Sequence, residues 1–191
     1  MNRKTFAAKT GAALLTASLL ATSIPLGATA ASVQRVTALL RPETSIVVDG
    51  SARTFYNVSG QEVHPILYNG TTYLPLRSIG ELMDKNVDWN QSTLTVTIGG
   101  ARTPADVTGT PDATAKESNV TAELRPDFTI VVDGTVRTFQ DVNGNTVYPM
   151  LYNGSTYLPV RAVGELMGKT VSWNGSTQTV TLSNGSLVSD A

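Results

Sequence analysis

Six aromatic side chains are this chain's clearest material for binding chemistry: Tyr68, Tyr73 and Trp89, and later Tyr152, Tyr157 and Trp173. Flat apolar faces of this kind stack on sugar rings. Trp89, however, alternates in phase with Val87, which predicts a central core residue rather than a contact surface. Tyr68 and Tyr73 flank an Asn-Gly hairpin tip, and Tyr152 and Tyr157 flank another. If the chain binds a glycan, these four tyrosines are the candidates.

Other chemistry has little to work with. His64 is the single histidine, and no Gly-x-Ser-x-Gly elbow is present, so a histidine-based nucleophile relay has no evident framework. Asp49, Glu62, Glu81 and Asp88 could serve acid–base hydrolysis. Yet Asp49 belongs to a turn, and Glu81 lies one helical turn from Arg77, a pairing that contributes ~0.3 kcal/mol when exposed. Asp141-x-Asn143-x-Asn145 imitates the start of a calcium loop, but Thr146 stands where that loop needs glycine and Tyr152 where it needs a bidentate glutamate. A turn at Asn143-Gly144 explains it more simply. No catalytic, cofactor-binding or metal-ligating residue is assigned.

The aromatic sets recur because the chain repeats itself. Residues 36–98 align without a gap on residues 120–182, with 40 of 63 positions identical. Two copies of one surface suit binding, spacing or assembly better than a catalytic site split between unlike domains. Before them, Arg3, Lys4 and Lys9 precede the apolar stretch Gly11 to Leu26, and Ala28-Thr29-Ala30 offers a signal peptidase its small-x-small site. Residues 1–30 therefore read as a secretory signal, and Pro25 and Gly27 break the run short of the ~20 residues that a bilayer span needs. Once they are removed, 11 Lys and Arg face 15 Asp and Glu, a net charge of about −4. With its cations scattered singly, such a chain is no nucleic-acid binder. The sequence has no cysteine and therefore no disulfide.

Residues 99–119 form a Gly, Thr, Pro, Ala and Asp stretch that reads as a flexible linker spanning ~25 Å, and residues 183–191 as a tail. Within each unit, Asp49-Gly50 and Asn69-Gly70, with Asp133-Gly134 and Asn153-Gly154, predict tight hairpins. After Pro75 the period turns helical through Leu76, Ile79 and Met83. Gly168 suits a left-handed cap for the second helix, and Asp84 takes that place less comfortably in the first. The fold class expected is α+β: two tandem small modules, each an antiparallel β-sheet curled around one short α-helix. Thr93 to Ile98 and Thr177 to Leu182 are uncharged, β-branched and proline-free, so self-association would use them if they lay at a sheet edge.

Asn69-Gly70-x-x-Tyr73-Leu74-Pro75-Leu76-Arg77, with Val87-x-Trp89-Asn90 and Thr95-Val96-Thr97-Ile98, resembles the copper amine oxidase N-terminal domain-like family, also called the stalk domain. The signature returns at Asn153 to Arg161 and at Val171 to Asn174. The resemblance implies a small α+β module of secreted or cell-envelope proteins in Gram-positive-type bacteria. It does not imply copper, because amine oxidation belongs to a separate, larger domain with three histidine ligands and an Asn-Tyr pair that this chain lacks. The resulting expectation is a secreted, non-catalytic structural or interaction protein, extracellular or associated with the cell envelope, with no cofactor. Cell-wall polysaccharide and envelope proteins are the partners considered. A carbohydrate- or wall-binding protein is the alternative, and a small hydrolase the remote third.

Overall fold

The computed structural model describes residues 31–103 and 108–185. The signal-like segment 1–30 and tail residues 186–191 lie outside the described residues. The first repeat forms β1 (Gln34–Leu40), β2 (Ser45–Val48), β3 (Ser51–Arg53), β4 (Phe55–Tyr56), β5 (Glu62–Val63), β6 (Ile66–Tyr68), β7 (Thr71–Pro75), α1 (Leu76–Leu82), β8 (Lys85–Asn90) and β9 (Thr95–Ala101). The second forms β10 (Ser118–Leu124), β11 (Thr129–Val132), β12 (Thr135–Arg137), β13 (Phe139–Gln140), β14 (Thr146–Val147), β15 (Met150–Tyr152), β16 (Ser155–Pro159), α2 (Val160–Met167), β17 (Thr170–Asn174) and β18 (Thr179–Ser183). None of the described helices is long and apolar enough to cross a membrane.

The four tight turns form where their dipeptides stand. Asp49, Asn69, Asp133 and Asn153 adopt φ of 46–49°, each followed by a glycine at 74–80°, the paired left-handed geometry of a two-residue hairpin. The strand-rich α+β character also holds, but its division between the repeats differs from two separate antiparallel modules. One four-stranded sheet runs β12-β11-β9-β8 and the other β17-β18-β2-β3, so each takes two strands from either repeat. The joints are parallel: Thr95 faces Thr129 in one, and Thr179 faces Ser45 in the other. Both threonine-rich strands thus lie inside their sheets, which removes edge pairing through them as a route to self-association.

A closed six-stranded barrel, β1-β10-β15-β16-β7-β6, completes the interlock. Its two cross-repeat joints pair equivalent residues with each other: Thr37 with Thr121, and Leu74 with Leu158. An approximate twofold axis therefore passes through both joints. Ala38, Ile66, Tyr73, Ala122, Met150 and Tyr157 fill the barrel, while Ile46, Leu74, Ile98, Ile130, Leu158 and Leu182 belong to a larger core shared by both repeats. Units of this length bury too little apolar area alone, and exchanging strands enlarges the common interior. The stretch between the repeats is partly strand as well, since β9 runs to Ala101 and β10 starts at Ser118, and Thr110 bridges to Gln61.

Each helix is short and pressed close to the following strand. Leu76 and Ile79 are buried, Met83 caps α1 half-buried, and Pro75 sits at the N-cap rather than within the first turn. Gly80 permits the close approach, because a Cβ there would lie 2.1 Å from Val87 Cγ2; Gly164 meets Val171 in the same way at 2.3 Å. Asp84 takes φ 54° after α1 where Gly168 takes 64° after α2. The Ser78 hydroxyl is buried without a hydrogen-bond partner, and alanine stands at the equivalent Ala162.

Two outcomes follow for urea unfolding. Gly80→Ala lowers stability by ~1–3 kcal/mol net of its helix-propensity gain, because Val87 must be pushed aside; an unchanged midpoint refutes the close packing. Ser78→Ala and Asp84→Gly, which carry the second repeat's residues into the first, each raise stability by ~1 kcal/mol. A drop in either midpoint contradicts the account of an orphaned hydroxyl and a strained cap.

Candidate functional site

The strand exchange leaves two equivalent clefts, each walled by both repeats. The first, of about 700 Å³, is lined by Val58, Arg77 and Trp89 from the first repeat and by Arg125, Phe128 and Asn153 from the second. The other, of about 590 Å³, is lined by Val142, Arg161 and Trp173 together with Arg41, Thr44 and Asn69. Position by position, these are the same places in the repeat. The fold brings them together because β8 and β17 are the outer strands of their sheets and end beside the other repeat's hairpin tips.

Trp89 and Trp173 are 43% and 54% exposed, which corrects the expectation of a central core residue at Trp89. Trp89 and Trp173 keep the phase of Val87 and Val171, but β8 and β17 run past the end of the core, so the inward-facing position at the strand's end overhangs solvent. Val58 and Val142 are exposed as well, at 69% and 72%. Each cleft therefore presents an indole and a valine uncovered to solvent.

The four candidate tyrosines lie elsewhere. Tyr73 and Tyr157 are 3% and 1% exposed inside the barrel, and Tyr68 and Tyr152 pack half-buried against the same cluster. Tyr152 and Tyr157 stand 6.5 Å apart between ring centroids. The hairpin tips form at Asn69-Gly70 and Asn153-Gly154, but closure of the barrel turns these side chains inward, and the exposed aromatic faces belong to the tryptophans. A signal for this was present, since Trp89 sits between Asp88 and Asn90 at the brink of a turn.

Polar groups set the character of each cleft. Trp89 donates its indole N–H to Gln91 Oε1 at 3.1 Å and lies 4.8 Å from the Phe128 ring, over which the Arg125 guanidinium stands at 4.0 Å. Arg125 in turn donates to both carboxylate oxygens of Asp127, at 2.9 and 2.7 Å, and these hydrogen bonds hold Asp127 below the usual carboxylate range. In the other cleft Thr44 replaces Phe128 and Gly175 replaces Gln91, so Trp173 has neither support. Arg77 is not held by Glu81 as expected; Glu81 pairs with Arg102 at 3.0 Å instead. Among the described residues, Arg77 and Arg161 face their clefts with no ion pair.

Of the other acidic residues singled out in the sequence, Asp88 lines the first cleft, whereas Asp49, Glu62 and Asp141 have structural partners. Asp49 binds Lys169 at 2.7 Å and Asp133 binds Lys85 at 2.8 Å, each across the repeats. His64 Nδ1 lies 3.6 Å from Glu62, which also accepts the Asp112 N–H. Asp141 accepts the N–H groups of Asn143 and Asn145 at 2.8 and 2.9 Å, and the hydrogen bond from the Asn145 side chain leads the causes that hold its carboxyl low. Asn57 makes the same turn in the first repeat. Among the described residues, no three His, Asp or Glu side chains converge as a metal site would require.

Burial raises the Tyr73 phenol from 10.0 to about 12, with Tyr68 adding to the rise, and burial likewise raises Tyr157. A folded-state value above the unfolded one means stability is complete below the unfolded value and is lost as pH climbs toward the folded one. Alkaline titration should therefore show Tyr73 and Tyr157 ionising above 10.0, with stability falling between pH 10.0 and about 12. Ionisation of these two phenols near 10 while the fold persists would contradict their burial.

The chain matches the copper amine oxidase N-terminal domain family over residues 48–136 and 139–188. The first of these stretches runs through the connection from one repeat into the next, and the pair is consistent with tandem copies. No curated protein and no solved structure shows significant similarity to the chain.

Proposed function

The chain belongs to the copper amine oxidase N-terminal domain family, and on that premise we propose that it is a non-catalytic interaction protein acting outside the cell, at its surface or envelope. One observation carries this reading: the twofold arrangement presents two equivalent, solvent-open clefts, each lined by an uncovered indole and by a guanidinium that has no ion pair among the described residues. Two such clefts on one shared core suit bivalent attachment, in which the second contact forms at a raised effective concentration. The signal-like residues 1–30 support export. Support for a non-catalytic role comes from the family and from carboxylates already engaged in turns and cross-repeat ion pairs.

The test is co-sedimentation of the signal-free chain with isolated cell walls. Saturable binding is expected, weakened by about tenfold or more in Trp89→Ala or Trp173→Ala and abolished when both are changed. Neither indole belongs to the central cores, so both variants should stay folded by circular dichroism. Absence of wall binding, or binding indifferent to the double change, overturns the reading.

A further inference from the structure

The two clefts share more than shape, and what they share restricts what can fill them. Each keeps an arginine (Arg77, Arg161), a tryptophan (Trp89, Trp173) and an amide at the opposing hairpin tip (Asn153, Asn69), although Tyr56, Asp88 and Phe128 give way to Gln140, Ser172 and Thr44. Among the described residues Arg77 and Arg161 have no ion pair, and a planar guanidinium left so is a fork suited to a flat anion. Each cleft holds a second arginine, Arg125 or Arg41, but these are already paired with Asp127 and Glu43, so one guanidinium per cleft is left to match one carboxylate. It does not match the dense charge of a nucleic acid, for which the chain has no cationic cluster. Beside it, an indole standing 43% or 54% clear of its own fold offers an apolar face to a ring. Amide side chains both donate and accept, which is what neighbouring hydroxyls require. Finally, two equivalent clefts on one molecule are best filled by an occupant that repeats itself.

We propose that each cleft binds one carboxylate-bearing sugar unit of an acidic polysaccharide, its ring face on Trp89 or Trp173 and its carboxylate on Arg77 or Arg161. This rests on the reading of the clefts as interaction sites and names the class of their ligand. The clefts differ in strength. Trp89 is braced by Phe128 and Gln91 and is the better ordered platform, whereas Trp173 has no such brace and is the weaker. Bivalent attachment then joins a stronger contact to a weaker one.

The experiment titrates the signal-free chain with a galacturonic acid hexamer and with the same oligomer after its carboxyl groups are reduced, following tryptophan fluorescence and heat. The acidic oligomer should bind about tenfold tighter or more, the margin expected of a charge-assisted pair, and added salt should narrow that margin. Arg77→Gln with Arg161→Gln should erase the difference while leaving residual binding, and Arg77→Lys with Arg161→Lys should restore part of it. Equal binding of both oligomers, unmoved by the arginine changes, overturns the carboxylate assignment and leaves the interaction clefts standing. Failure of both oligomers to bind, while wall binding still depends on the tryptophans, overturns the sugar and leaves a different occupant. Binding of a poly-glutamate peptide as tight as that of the acidic oligomer also overturns it, because the ring would then count for nothing. Loss of wall binding as well would bring down the underlying reading with it.

Discussion

Two parallel strand pairs, β9 with β11 and β18 with β2, govern the rest of this molecule. Each joins a strand of one repeat to a strand of the other, so neither repeat owns a complete sheet. The larger of the two buried cores follows from that. Ile98 and Ile130 lie in one core with Ile46 and Leu182 because the strands bearing them are neighbours across the repeats. The helices obey the same constraint, since α1 packs against β16 as well as β7, and α2 against β7 as well as β16. A segment of about 63 residues could hardly enclose an interior of this size by itself.

The clefts are by-products of the same exchange. The outer strands β8 and β17 overhang the core, and the hairpin tips of the opposite repeat rise beside them. Divergence between the repeats has altered the supports more than the faces. Phe128 and Gln91 steady one indole, and Thr44 and Gly175 leave the other to stand by itself.

Local features were legible in the sequence. The Asp-Gly and Asn-Gly pairs announced their turns because left-handed backbone geometry is a property of those residues, and Gly168 announced its cap for the same reason. The helix was visible in its period. Partnership between strands was not, because hydrophobic alternation records which face is inward and says nothing of which neighbour covers it. Trp89 shows the limit most clearly: its face was readable, but the length of the core beneath it was a property of the whole fold. Tyr73 and Tyr157 erred in the opposite direction, since a hairpin tip looks exposed until a barrel closes over it. Arg77 and Glu81 had the right spacing for a helical pair, but Arg102, from outside the aligned repeat, takes the glutamate.

The β18 to β2 joint also fixes an order of events. Thr179 pairs with Ser45, and Leu182 with Val48, so the strand completing the first repeat's sheet is the last in the described chain. A growing polypeptide cannot close either sheet with its first repeat alone, and the larger core stays open until β18 has been made. The first repeat therefore waits, with its sheet unfinished, for nearly the whole of the second.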